Sequence, residues 1–138
     1  MFKSTETLYA DLAKTLGVAE LPADASGSLE LTIGDDSTVI LFAEDEYSLM
    51  LVAPVMPLPA NLDYGLVLWL MRRNFYDSPL APFRVSCDAA GTLVLWGRVP
   101  IEGMSGAALG SLIEALAAQS NLVREELGFG GDAAAEAS

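Results

Sequence analysis

The sequence predicts an α+β domain in which a helix, three strands, a helix, two strands and a final helix follow one another. Three observations carry this reading. Apolar residues recur at helical spacing at both ends of the chain: Leu8, Leu12 and Leu16 near the start, and Leu109, Leu112, Ile113, Leu116, Val123 and Leu127 near the end. Between them, residues 28–33 and 83–87 alternate apolar with polar, as half-buried strands do. Short clusters of turn residues separate the strand-like runs, which implies antiparallel pairing. A chain of 138 residues fits one such domain, burying about two thirds of its unfolded surface.

The first helix covers residues 4–16. Ser4 is placed to cap it, Glu6 suits the positive end of the helix dipole, and Gly17 can take the left-handed conformation that closes it. A loop holding Pro22, Asp24, Ser26 and Gly27 leads to the first strand, with Leu29, Leu31 and Ile33 on one face. Gly34-Asp35-Asp36 turns the chain into residues 39–43, and the acidic turn Glu44-Asp45-Glu46 leads into residues 47–55. These two strands are apolar on both faces; in the second of them Met50 and Val52 lie opposite Leu49 and Leu51. A sheet covered on one side does not require that, so strands two and three predict a second buried surface.

Pro57 and Pro59 end the sheet segment, and Asn61 can cap a helix running to residue 74. Its stretch from Leu66 to Met71 is apolar around the whole circumference, which predicts burial on several sides. In a domain this small, packing against a second copy is the simplest way to achieve it. Residues 83–87 and 93–96 form a hairpin through Asp88-Ala-Ala-Gly91. Met104 and Leu109 flank Ser105 at the spacing of a hydrophobic staple around a cap, opening a last helix that ends at Gly128. Beyond it Gly, Ala, Asp, Glu and Ser predominate, so a single domain over residues 1–128 is expected to carry a flexible tail at 129–138.

Composition removes several function classes. Seven Lys and Arg against 19 Asp and Glu give a net charge of −12, which repels nucleic-acid backbones and anionic membrane surfaces. The absence of His excludes His-based triads and His-metal sites. One cysteine, Cys87, allows no internal disulfide and no thiolate cluster. The N-terminus lacks the charged start and apolar run of a secretory signal. The uncharged stretch at 48–61 holds three prolines and is shorter than the roughly 20 residues a membrane crossing needs. The expectation is a soluble, cytoplasmic protein with no cofactor and no metal.

The remaining candidate chemistry is weak. Asp35-Asp36 and Glu44-Asp45-Glu46 lack the ligand spacing and interior glycine of a calcium loop and read as solvated turns. Acid–base chemistry needs a buried carboxyl with a raised pKa, and nothing in sequence singles out Glu30, Asp88 or Glu102 from any other carboxylate, so an enzyme acting through them or through a metal stands as the least supported alternative. Cys87, beside Asp88, reads as a small core residue at a strand end. Arg72 and Arg73 oppose the dipole at the end of the second helix, or meet an acidic partner. What is left is apolar surface, with a mean hydropathy of +0.40. Together with high charge this marks a module that binds another polypeptide.

In order and spacing the chain resembles the class I type III secretion chaperones, the family of small acidic dimeric proteins that includes the Tir chaperone. The resemblance rests on Leu12-Ala-Lys-Thr-Leu-Gly17, the strand Leu29-Glu-Leu-Thr-Ile33, the Asp-Asp turn and the apolar second and third strands. It continues through Pro57-Leu-Pro59, the helix ending Leu70-Met-Arg-Arg-Asn74, the hairpin Asp88-Ala-Ala-Gly91-Thr-Leu-Val-Leu95 and the amphipathic last helix. It implies a two-layer sandwich with an antiparallel sheet, a homodimer formed through the second helix and neighbouring strands, and no catalysis. The partner it implies is the N-terminal chaperone-binding segment of a secreted effector, held in extended form and passed on to the secretion apparatus and its ATPase. Carried onto this chain, it implies a cargo surface of Phe2, Tyr9, Ile33, Ile40, Phe42 and Met50. The implied dimer surface is Leu66, Trp69, Leu70, Arg73, Val85 and Trp96. A regulatory protein of the same fold, sequestering another regulator of the secretion system, would use the same surfaces and stands as the alternative.

Overall fold

The structure is a computed structural model that describes residues 1–137, with side chains described for 1–127. The elements come in the expected order: α1 (Lys3–Leu16), β1 (Leu29–Ile33), β2 (Ser37–Ala43), β3 (Ser48–Pro57), α2 (Tyr64–Arg73), β4 (Arg84–Cys87), β5 (Thr92–Pro100) and α3 (Gly106–Ala137). The five strands form one sheet in the order β1-β2-β3-β5-β4, every neighbouring pair antiparallel. The fold is α+β. Strand β5 pairs with β3, so α2 and β4 are an excursion that leaves the sheet and returns as its far edge.

Alternation in the strands sends one set of side chains to a common core: Leu29, Val39, Leu41, Leu49, Leu51 and Leu95 are all fully removed from solvent. Helices α1 and α3 cover that face. Leu12 of α1 and Leu109 and Leu116 of α3 are equally buried. The two helices approach closely because α3 begins with glycine: a Cβ at Gly106 would collide with the backbone of Asp11. The same contact is tied by the Gly106 N–H, which donates to the Asp11 carboxylate.

Several local expectations are corrected. Phe2, not Ser4, is the N-cap of α1, with no side-chain cap bond; the Ser4 hydroxyl instead donates to the Glu46 carbonyl, 2.9 Å away, pinning α1 to the β2–β3 turn. Leu16 is exposed although Leu8 and Leu12 are buried, and Gly17, at φ 73°, closes α1 directly after it. The cap of α2 is Asp63, whose carboxylate accepts from the Leu66 N–H at 2.7 Å, so the helix starts later than a cap at Asn61 would place it. Cys87 is exposed rather than in the core: it shares the core face with Val85 and Leu93, but it is the last residue of β4, and β4 is the edge strand. Helix α3 runs past Gly128, a residue that weakens a helix interior by about 1 kcal/mol without breaking it. The tail expected at 129–138 lies outside the residues whose side chains are described.

Candidate functional site

The face of the sheet turned away from α1 and α3 carries an apolar field. On β2 it presents Ile40 and Phe42, on β3 Met50, Val52 and Pro54, and on β5 Val94 and Trp96, none of them buried. Their strand partners on the other parity are the core residues. Register sets them side by side: Phe42 pairs with Met50, Ile40 with Val52, Val52 with Trp96 and Pro54 with Val94. Phe42 is 38% exposed, unusual for a phenylalanine in the middle of a sheet. The Trp96 indole is fixed by donating to the Ser86 hydroxyl at 2.8 Å. The outer strands make the rim polar, with Glu30 and Thr32 on β1 and Arg84 and Ser86 on β4, all exposed. Arg98 at the field's end is paired with Glu44 at 2.8 Å.

A second apolar surface runs along α2, none of whose residues is buried. Leu66, Trp69 and Leu70 lean on the chain's own core. Arg73 lies over the Trp69 ring at 4.3 Å and reaches Glu126 of α3 at 3.0 Å. The opposite side shows Tyr64 (81% exposed), Val67, Met71 (66%) and, just past the helix, Phe75 and Tyr76 (83%). Positions 64, 67, 71 and 75 repeat at helical spacing and form one stripe. The helix is held beside the β4 edge by Asn74. Its amide donates to the Val85 carbonyl at 2.7 Å, and its oxygen accepts from the Val85 N–H at 2.6 Å.

The two predicted surfaces are therefore redistributed. Ile40, Phe42 and Met50 come together on the open sheet face. Phe2 is exposed at the start of α1, and Ile33 is half-buried on the core side of β1. Tyr9 is only 5% exposed, its hydroxyl donating to the Gly27 carbonyl at 2.8 Å; burial, reinforced by the charge of Asp24, pushes its pKa up to about 12. It is a core residue. Leu66, Trp69, Leu70 and Arg73 form the inward side of α2, and Val85 is buried. Trp96 belongs to the open sheet face. Sequence reasoning missed Val52, Pro54 and Val94 on that face and the outward stripe of α2. The signal for the first group was strand parity: Val52 lies two residues from Met50, Val94 two residues from Trp96, and Pro54 four residues from Met50 and across from Val94.

Three of the turn aspartates are engaged by the backbone. The Asp45 carboxylate accepts from the Tyr47 and Ser48 N–H groups, Asp88 from Ala90 and Thr92, and Asp24 from Ser26 and Ser28. The last set, with the Ser26 hydroxyl foremost, lowers the Asp24 pKa. Among the described residues, no three Asp, Glu or Cys side chains are grouped to hold a metal ion. No helix among them is long and apolar enough to cross a membrane.

Comparison with known proteins agrees with this architecture. The sequence model of the Tir chaperone protein (CesT) family matches residues 7–124. The fold is similar to that of the Yersinia pestis type III secretion chaperone SycH, solved in complex with a stable fragment of YscM2. The two are 24% identical over 86% of this chain and 98% of that one, with a TM-score of 0.72. A chain of the heterodimeric ExoU-SpcU complex from the type III secretion system of Pseudomonas aeruginosa is 25% identical over 83% and 92%, with a TM-score of 0.68. A chain of the HopA1-SchA chaperone-effector complex is 18% identical over 88% and 94%, with a TM-score of 0.72. No curated protein sequence matches the chain.

Proposed function

The chain belongs to the Tir chaperone protein (CesT) family, a family of binding proteins rather than enzymes, and we propose that it escorts a secreted effector by holding the effector's N-terminal segment on a homodimer. The observation that carries this reading is the uncovered apolar field of Ile40, Phe42, Met50, Val52, Pro54, Val94 and Trp96, built into a sheet whose other face is a complete core. A protein needing only to fold has no use for that field; one that shields the apolar stretch of another chain does. Among the described residues, strand β1 pairs only with β2, so its outer edge can accept an added strand. There backbone hydrogen bonds give generic affinity, and neighbouring apolar side chains choose among segments. The segment then follows a non-globular path around the dimer.

The outward stripe Tyr64, Val67, Met71 and Phe75, with Tyr76 beside it, supports association of two copies by α2. An isologous contact brings the same stripe from both copies together. A net charge of −12 keeps a protein with this much apolar surface from associating further and favours neutral or basic cargo segments. The loaded dimer works in the bacterial cytoplasm and hands its cargo to the ATPase of the secretion apparatus. The test is light scattering and hydrogen exchange on the protein with the N-terminal segment of a protein secreted by its own bacterium. A two-chain particle that binds one segment, with exchange slowed at the outer edge of β1 and in β2, β3 and β5, is expected. A monomer that binds no such segment, or slowing confined to other elements, contradicts the proposal.

A further inference from the structure

One row of the open face crosses the whole sheet. Register aligns Glu30 with Ile40, Ile40 with Val52, Val52 with Trp96, and Trp96 with Arg84. The row thus runs acid, three apolar side chains, base, from the β1 edge to the β4 edge. Four strand spacings make it about 19 Å long. Among the described residues, neither Glu30 nor Arg84 has an ion-pair partner, whereas the neighbouring Arg98 is neutralised by Glu44. The two rims of the apolar field therefore carry free charges of opposite sign.

The backbone of a sheet is already hydrogen-bonded within the sheet, so a segment lying on its face finds no backbone partners there. An extended segment would leave its own N–H and C=O groups unpaired; a helix satisfies them internally. About 13 helical residues span the row. Helices place acidic residues in their first turn and basic residues in their last because of their dipole. A full side-chain charge also outweighs the half charge of a helix end.

Resting on the chaperone reading above, we propose that Glu30 and Arg84 select and orient an amphipathic cargo helix on this face, its acidic first turn over Arg84 and its basic last turn over Glu30. The preference for an acidic end is the distinctive part. A surface of charge −12 alone favours basic residues at both ends; Arg84 is what makes one acidic end acceptable.

The test uses three designed 15-residue peptides with one leucine stripe and end turns that are acidic–basic, acidic–acidic or basic–basic. Each is titrated into the isotope-labelled full chain and followed by NMR. The acidic–basic peptide is expected to bind about threefold or more tightly than either of the others, a margin set by exposed ion pairs and shrinking with added salt. A nitroxide on its N-terminus should broaden Ser86 and spare Leu31. In the Glu30→Lys, Arg84→Glu double variant that pattern should invert, while Glu30→Lys alone should come to prefer the acidic–acidic peptide. Both positions are exposed, and an otherwise unchanged amide spectrum shows that the variants fold. Peptides that shift Ile40, Val52 and Trp96 but bind alike whatever their ends, or that lie in both directions, overturn the charge selection and leave the chaperone reading standing. Peptides that leave those three resonances unmoved remove the open face as a cargo surface altogether.

Discussion

Replacing Met71 by Ala should dissociate the dimer and leave each subunit folded. Met71 is 66% exposed in the isolated chain, on the outward stripe of α2. That fraction corresponds to roughly 130 Å² of mostly apolar surface, worth about 3 kcal/mol if covered at 25 cal/mol per Å². Truncation to Ala forfeits about 2 kcal/mol of it. A two-fold contact counts the substitution twice, so the dimer loses about 4 kcal/mol, near a thousandfold in dissociation constant. Sedimentation over a concentration series reads this directly, with thermal unfolding of the monomeric form as the control. The companion variant is Leu70→Ala, one residue away but leaning on the chain's own core. It should lower subunit stability by about 1–2 kcal/mol, less than a fully buried leucine would, because Leu70 is only half-buried. If Leu70→Ala separates the subunits and Met71→Ala does not, the assignment of inward and outward faces is reversed and the reasoning fails.

Other substitutions probe the frame beneath the two surfaces. Asn74→Ala removes both hydrogen bonds to Val85 and should cost about 1–3 kcal/mol in a denaturant melt, with faster amide exchange in β4. Gly106→Val forces a side chain into the backbone of Asp11; separation of α1 from α3 should cost more than about 2 kcal/mol, and an unchanged melting temperature would show that the helices do not meet as described. Tyr9 has a pKa raised from 10.0 to about 12 in the folded chain, so the stability it contributes is complete below pH 10 and is lost as pH climbs through 12. Tyr9→Phe should cost about 1 kcal/mol at neutral pH, by deleting the bond to Gly27, and should flatten the alkaline loss. A titration of stability that looks the same with and without the hydroxyl would contradict that.

Much of the fold was legible because its signals are local. Strand alternation places Leu29, Leu49, Leu51 and Leu95 in the core, and Gly17 stops α1 where a left-handed residue is needed. The apolar excess in β2 and β3 likewise pointed to a second surface, and Ile40, Phe42 and Met50 lie on it. What was not legible depends on non-local geometry. The pairing of β5 with β3 decides that Trp96 stands beside Val52 rather than next to α2. A helix apolar on every side offers no periodicity to say which side turns inward; that is settled by the Asn74 clamp and the Arg73–Glu126 pair, both made with distant segments. Tyr9 looks like a surface aromatic until its hydroxyl finds the Gly27 carbonyl 18 residues away. Cys87 resembles a core residue until β4 proves to be an edge.

The most direct measurement is affinity capture of the tagged protein from its own bacterium, alongside a Phe42→Asp, Met50→Asp variant, with mass determination of both eluates. Both positions lie on the open face, outside the core, so the variant should fold and still dimerise. Two copies of the chain carrying a secreted protein through its N-terminal region are expected, and an empty dimer for the variant. Equal recovery of that secreted protein by both forms, or a chain recovered alone as a monomer in each, would contradict it.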